Sequence, residues 1–172
     1  KKNQAEGFKM NAEQLHNTLR ASQYAEQVLG KHSALLEQDY AIDQFLLPLT
    51  TIQIQNIVHD TLEQITDEST WMHAIRVLRA RLMFRWIWQD ANRLTDVITL
   101  TRELSDFADA AICAAKDFAR APLVAKHGEP IGYGGEVQDL IVVAMGKLGA
   151  QELNLSSDID LIFAFDEQGE TN

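Results

Sequence analysis

The apolar positions of this chain change rhythm about two-thirds of the way along. Residues 11–29 place Leu15, Leu19, Ala25 and Leu29 on a thin stripe of helical spacing, and Gly30 is the expected stop. A second helical stretch, 33–47, runs through Leu36, Tyr40, Phe45 and Leu47 to Pro48, whose ring clashes with a continuing helix. A third, 50–66, carries Ile54, Ile57, Val58, Leu62 and Ile65. Ser69 or Thr70 is the expected N-cap of a long helix from Trp71 to about Gln89, with Trp71, Ile75, Leu78, Leu82 and Trp86 as its main stripe and Asn92 as its break. The last predicted helix starts near Thr95 or Asp96 and runs to about Arg120. Its expected apolar face is Leu94, Ile98, Leu104, Ala108, Ala111, Ala115 and Phe118, with Cys113 as a small buried thiol among the alanines.

Beyond residue 120 the pattern is different. Seven of the nine glycines and two of the three prolines lie there, so the first 120 residues are expected to be helical and the rest mixed. Residues 121–138 read as an irregular connection or hairpin. Leu140–Met145 is a continuous apolar run, the pattern of a strand buried on both faces. Gly146-Lys147-Leu148-Gly149 follows, and then Ser156–Phe165 as a second strand. Alternation puts Ile159, Leu161, Phe163 and Phe165 on one face, which needs a cover, and Asp158 and Asp160 on the other.

Composition narrows the class. At 172 residues, 46% apolar and 23% charged, the chain has a globular profile. Its net charge of −10 argues against a nucleic acid or an anionic membrane as partner. A lone cysteine forms no internal disulfide, which fits a reducing, cytoplasmic location. No apolar run reaches the roughly 18 residues of a membrane span. The chain opens without an initiator Met or an apolar signal core and ends abruptly, so both ends are expected to be cut points in a longer protein. One segment opposes the overall charge: from Trp71 to Arg93 stand five arginines and one acid, Asp90. Most of these suit a solvated helix face. Arg81, however, projects between Val77, Phe84 and Trp88, and a guanidinium among aromatics calls for a specific carboxylate or phosphate; an acid elsewhere in the chain is the simplest partner for it. The sequence leaves open what Arg85 contacts.

The chemistry concentrates in the last thirty residues. Two aspartates two positions apart on a strand have Cα atoms about 6.5–7 Å apart, so their carboxylates repel unless a cation lies between them. Asp-x-Asp alone also suits a solvated strand end or turn cap. Here it follows a buried strand, a glycine and an adjacent lysine, and its first acid lies eleven residues beyond Lys147. Gly146 and Gly149 let backbone N–H groups approach a phosphate and Lys147 adds a point charge, while Mg²⁺ takes one or two carboxylates plus phosphate oxygens. A calcium loop does not fit, because Ile162 and Phe163 stand where an oxygen ligand and a glycine are required. No Gly-Lys-Ser/Thr occurs, so a P-loop is excluded. The residues therefore point to phosphoryl or nucleotidyl transfer.

The string Val143-Ala-Met-Gly-Lys-Leu-Gly-Ala-Gln-Glu-Leu-Asn-Leu-Ser-Ser-Asp-Ile-Asp-Leu-Ile-Phe163 resembles the signature of the bacterial glutamine synthetase adenylyltransferase / adenylyl-removing enzymes, members of the DNA polymerase β-like nucleotidyltransferases. Leu78–Trp88 and Leu104-Ser-Asp-Phe-Ala-Asp109 resemble the helices that precede that signature, so the likeness covers roughly residues 70–172. It implies an α+β chain, mainly helical here: a helical lead-in over 1–120, then over 121–172 the first strands of a nucleotidyltransferase domain. It implies Asp158 and Asp160 as catalytic, metal-binding carboxylates for Mg²⁺ or Mn²⁺, and Gly146, Lys147 and Ser157 on the phosphate side of an ATP or ADP site; Glu152 has no assigned role. Implied partners are glutamine synthetase, as protein substrate, and the PII signal protein. The form Glu152–Asp160 resembles the adenylyl-removing copy, which releases AMP by phosphorolysis as ADP. The alternatives are the adenylyl-transferring copy, or a helical docking module over 1–120. Ala150 replaces a usual glycine, and the third carboxylate of such sites has no well-placed candidate among Asp166, Glu167 and Glu170, so the 172 residues alone are expected to be inactive.

Overall fold

The computed structural model describes residues 10–43 and 45–172. Among these residues six helices and four short strands follow in the order α1 (Ala12–Ala21), α2 (Gln23–Asp43), α3 (Thr51–Leu62), α4 (Glu68–Ala91), α5 (Val97–His127), β1 (Pro130–Gly132), β2 (Ile141–Ala144), α6 (Gly146–Gly149), β3 (Leu161–Ala164) and β4 (Gly169–Thr171). The fold is α+β and mainly helical, as the sequence leads one to expect. The chain divides into two compact units that do not follow chain order. The first holds the described residues up to Thr50 together with Gln64–Leu100, and the second holds Thr51–Glu63 and Thr101–Asn172.

The first unit is built around α4. Trp71, Leu78, Leu82 and Trp86 are buried as the stripe requires and Ile75 is half-buried; from Leu82 to Gln89 every residue is buried, so the C-terminal half of the helix is covered on all sides. Phe84 and Trp88 meet Tyr40 and Phe45 in an aromatic cluster, with edge-on contacts of 5.3 Å between Tyr40 and Trp88 and 5.6 Å between Tyr40 and Phe45. Arg81 finds its carboxylate: Nε donates to Asp39 Oδ2 at 2.8 Å, and the second guanidinium nitrogen pairs with Oδ1. One turn on, the buried Arg85 donates to Asp43 and to the Leu47 carbonyl and lies over the Phe45 ring. Arg81 and Arg85 are thus four apart on one helix and face acids four apart on another. Asn92 ends α4; its Nδ2 donates to the carbonyls of Trp88 and Gln14, and Arg93 takes the left-handed conformation with φ 55°.

Several boundaries differ from the sequence pattern. Gly30 stops nothing: the break comes at Ser22, which is extended (φ −150°) and whose Oγ accepts from Ala25 N, and α2 passes Gly30 to a kink at His32. A glycine weakens a helix without having to end it. The helix expected to reach Leu47 ends at Asp43, because Asp43 Oδ1 captures the N–H of Phe45 at 2.8 Å and Phe45 turns left-handed. The cap of α4 is Asp67, not Ser69 or Thr70; its carboxylate accepts from both of their N–H groups, and the hydrogen bonds to Thr70 hold it below the usual carboxylate range.

In the second unit, α3 buries Ile54, Val58 and Leu62, and Thr51 Oγ1 donates to Asp106 of α5 at 2.8 Å. On the part of α5 that belongs to this unit the buried positions are Glu103, Leu104, Ser105 and Phe107, so the stripe is displaced from the expected one. Ile98 is exposed, and Cys113, which falls away from the buried side, is an exposed thiol rather than a buried one. The helix continues past Arg120 through Pro122 and stops at the left-handed Gly128; Arg120 pairs with Glu129 and Lys116 with Asp139 (2.6 Å), each tying the helix to the segment that follows. Hydrogen bonding between the last two holds Asp139 below and Lys116 above its ordinary pKa.

Of residues 121–138, expected as an irregular connection or hairpin, 121–127 instead continue α5, while 130–138 form a turn with a bridge between Ile131 and Val137; β1 also pairs antiparallel with β4. The strand expected to be buried on both faces is not. Among the described residues β2 pairs only with β3, antiparallel from Ile141↔Ala164 to Ala144↔Leu161, and Ile141 and Val143 are exposed. On β3 and beside it, Ile159, Phe163 and Phe165 are exposed and Leu161 is half-buried, so the apolar face expected to be covered is largely open among the described residues. A two-stranded ladder has no neighbour to bury its faces. No helix among the described residues is long and apolar enough to cross a membrane.

Candidate functional site

The candidate site lies in the second unit, between the end of β2 and the start of β3. Met145 closes β2 and its N–H donates to the Asp160 carbonyl at 2.9 Å, extending the ladder by one rung. Gly146 and Lys147 open the one-turn helix α6 directly after it, so the ladder sets the start of α6 beside Asp160. Gly146 is left-handed, with φ 57°. Gly149 is required for a different reason: a Cβ there would lie 2.5 Å from the Ala144 carbonyl oxygen, which allows only glycine to fold the turn back onto β2.

The end of α6 resolves the question raised by Ala150. Ala150 is right-handed, with φ −89°, so its methyl group carries no strain. The left-handed residue is Gln151, with φ 58°. Gln151 N donates to the Leu148 carbonyl at 3.0 Å and Glu152 N to the Lys147 carbonyl at 2.8 Å, the paired hydrogen bonds of a Schellman motif. Leu148 and Leu153 are the buried residues of this segment. The turn is then held from α5: Ser105 Oγ accepts the Leu153 N–H at 3.1 Å, and Asp109 Oδ2 accepts from Gln151 Nε2 at 3.0 Å.

A tight turn at Asn154 follows. Its Oδ1 accepts from Ser156 N at 3.2 Å and from Ser157 Oγ at 2.8 Å. The Ser157 hydroxyl is therefore engaged inside the loop, where it shapes the approach to Asp158. Asp158 and Asp160 precede β3 instead of standing within it, because the ladder begins at Leu161. Both carboxylates are exposed, and neither makes a hydrogen bond or an ion pair among the described residues. No group of three or more His, Cys, Asp or Glu side chains is placed to hold a metal ion among those residues. The donor set that is present, two hard carboxylates free of other partners next to a glycine-lysine turn, suits a divalent cation that takes its remaining ligands from phosphate and water.

The structure sets Asp160 beside the Gly146-Lys147 turn through the Met145 N–H, and places Ser157 and Asp158 on the loop that leads to it. Sequence reasoning missed Ser105, Asp109 and Gln151 as its supports. No local signal marked Ser105 and Asp109, which stand among Arg102, Glu103 and Asp106 on α5.

The family model of glutamate-ammonia ligase adenylyltransferase matches residues 12–172. The chain belongs to that family. A bifunctional glutamine synthetase adenylyltransferase/adenylyl-removing enzyme of Acinetobacter baylyi is 74% identical over 165 residues, covering 96% of this chain and 18% of the relative. Proteins of the same description from Pseudomonas aeruginosa and Haemophilus ducreyi are 37% identical over 152 residues and 44% over 110, covering 88% and 64% of this chain. In these two the matched part is 16% and 12% of the relative's own length, so the chain spans less than a fifth of the curated relatives it matches.

Proposed function

We propose that this chain contributes to the removal of AMP from a tyrosine of glutamine synthetase by phosphorolysis, within a bifunctional enzyme that also attaches AMP. The observation that carries the reading is the unengaged pair Asp158 and Asp160, the second of which the β2–β3 ladder sets beside the Gly146-Lys147 turn. Asp158 and Asp160 would hold Mg²⁺ or Mn²⁺. When bound, such an ion neutralises charge on the phosphoryl oxygens being transferred. Lys147 supplies a further positive charge to a phosphate, and Gly146 lets backbone N–H groups come close without a Cβ in the way. In the overall reaction an oxygen of inorganic phosphate forms a bond to the AMP phosphorus, the bond to the tyrosine oxygen breaks, and ADP and free tyrosine result. The share of the chain's residues is positioning and charge neutralisation, since no covalent enzyme intermediate is required. The PII signal protein belongs to this reading as the regulatory partner, and the cytoplasm as the location.

The test is a two-way assay of the whole protein. With Asp158→Ala, phosphate-dependent ADP release from adenylylated glutamine synthetase is expected to be lost while ATP-dependent AMP addition persists. Loss of addition with removal intact would instead make this the adenylyl-transferring copy.

A further inference from the structure

We infer that Ser105 and Asp109 on α5 are positioning residues that fix the loop carrying Asp158; the inference rests on the proposed role of Asp158. Two hydrogen bonds carry it. Ser105 is fully buried, and its hydroxyl is used in both directions, donating to the Thr101 carbonyl at 2.8 Å and accepting the buried Leu153 N–H at 3.1 Å. Asp109, one helical turn on, accepts from the side chain of Gln151 at 3.0 Å. Residues four apart on a helix share a face, so one rigid element grips the same turn twice.

The grip matters because the two acids are anchored differently. The Asp160 carbonyl is bonded to Met145 N, so Asp160 is tied to the β2–β3 ladder. Asp158 lies outside that ladder. Its position is set from upstream, through the Asn154 turn, by the segment that begins at the left-handed Gln151 and the buried Leu153. A non-glycine residue at positive φ persists only where its surroundings hold it there, and Asp109 holds the side chain of that residue. Without the two contacts from α5, the spacing between the Asp158 and Asp160 carboxylates is no longer fixed. A cation site built on that spacing then weakens.

The test uses the whole protein with Ser105→Ala, Asp109→Ala and Asp109→Asn, and two readouts. Hydrogen exchange over residues 150–158 is expected to be about 10-fold faster in Ser105→Ala, from local opening of the turn. In AMP removal, Ser105→Ala and Asp109→Ala are expected to lower kcat about 10-fold and to raise the Mn²⁺ concentration for half-maximal rate, with KM for adenylylated glutamine synthetase unchanged. Asp109→Asn keeps an acceptor oxygen for Gln151 and is expected to restore both. Unchanged exchange in Ser105→Ala would overturn the inference, as would an altered KM with an unchanged Mn²⁺ requirement. If Ser105→Ala does not fold, the comparison of Asp109→Ala with Asp109→Asn decides on the same criteria. Failure of the underlying reading is seen separately, as AMP removal that survives Asp158→Ala.

Discussion

Trp88→Ala is expected to destabilise the first compact unit by about 3–5 kcal/mol, the range for deleting a large buried aromatic side chain. Trp88 is fully buried, and its ring meets Tyr40 at 5.3 Å, Phe45 at 6.1 Å and Phe84 at 6.2 Å. These three partners come from α2, from the turn after it and from α4 itself. Removing the indole leaves a cavity that no single neighbour fills, because each ring is fixed by the others. Urea denaturation measures the effect as a lower midpoint at unchanged slope. Trp88→Phe keeps part of the edge-on contacts and is expected to lose less than half as much. A loss below about 1 kcal/mol in Trp88→Ala would show that the cluster does not form the core of this unit.

Arg85→Ala is the second large effect, about 2–3 kcal/mol, and its cause is polar. The guanidinium is 4% exposed and donates to Asp43 and to the Leu47 carbonyl, which Gln89 Nε2 also reaches at 3.0 Å. The chain between those two acceptors contains Phe45, a bulky residue at φ 51° held by the aromatic cluster and by the guanidinium 5.5 Å above its ring. Removing the guanidinium takes away a support of that strained turn and leaves the carbonyl one donor short. The Asp43 side chain is 38% exposed, so water recovers part of its charge, which keeps the cost at the lower end for a broken buried pair. Arg85→Lys is not expected to rescue, since one ammonium lacks the fork that spans both acceptors. Arg79→Ala, at an exposed position of the same helix, is expected to stay within about 0.5 kcal/mol of the parent in the same titration.

How much of this was legible follows from what each signal measures. The α4 stripe was readable because apolar spacing reports burial directly, and the acid opposite Arg81 followed from the cost of placing a cation among aromatic rings. Helix ends were less readable. Which of Asp67, Ser69 and Thr70 caps α4 depends on where the backbone leaves the helix, and all three side chains are suitable caps. Gly30 failed as a stop because glycine lowers helix propensity without forbidding the helix. The burial expected for Leu140–Met145 failed because an apolar run states what a strand is suited to pack against, whereas its actual cover depends on neighbouring strands. Residue type and spacing made Gly146, Lys147, Asp158 and Asp160 candidates for the site, and the family resemblance added Ser157. Ser105 and Asp109 were not legible as its supports, because the hydrogen bonds that connect them to Leu153 and Gln151 span more than forty positions in sequence.

That Asp158 and Asp160 together hold a divalent cation is tested most directly by calorimetric titration of Mn²⁺ into the protein and into its Asp158→Asn, Asp160→Asn double variant at neutral pH. Weak but saturable binding in the protein, abolished in the double variant, is the expected result; binding of equal strength in both would contradict the assignment.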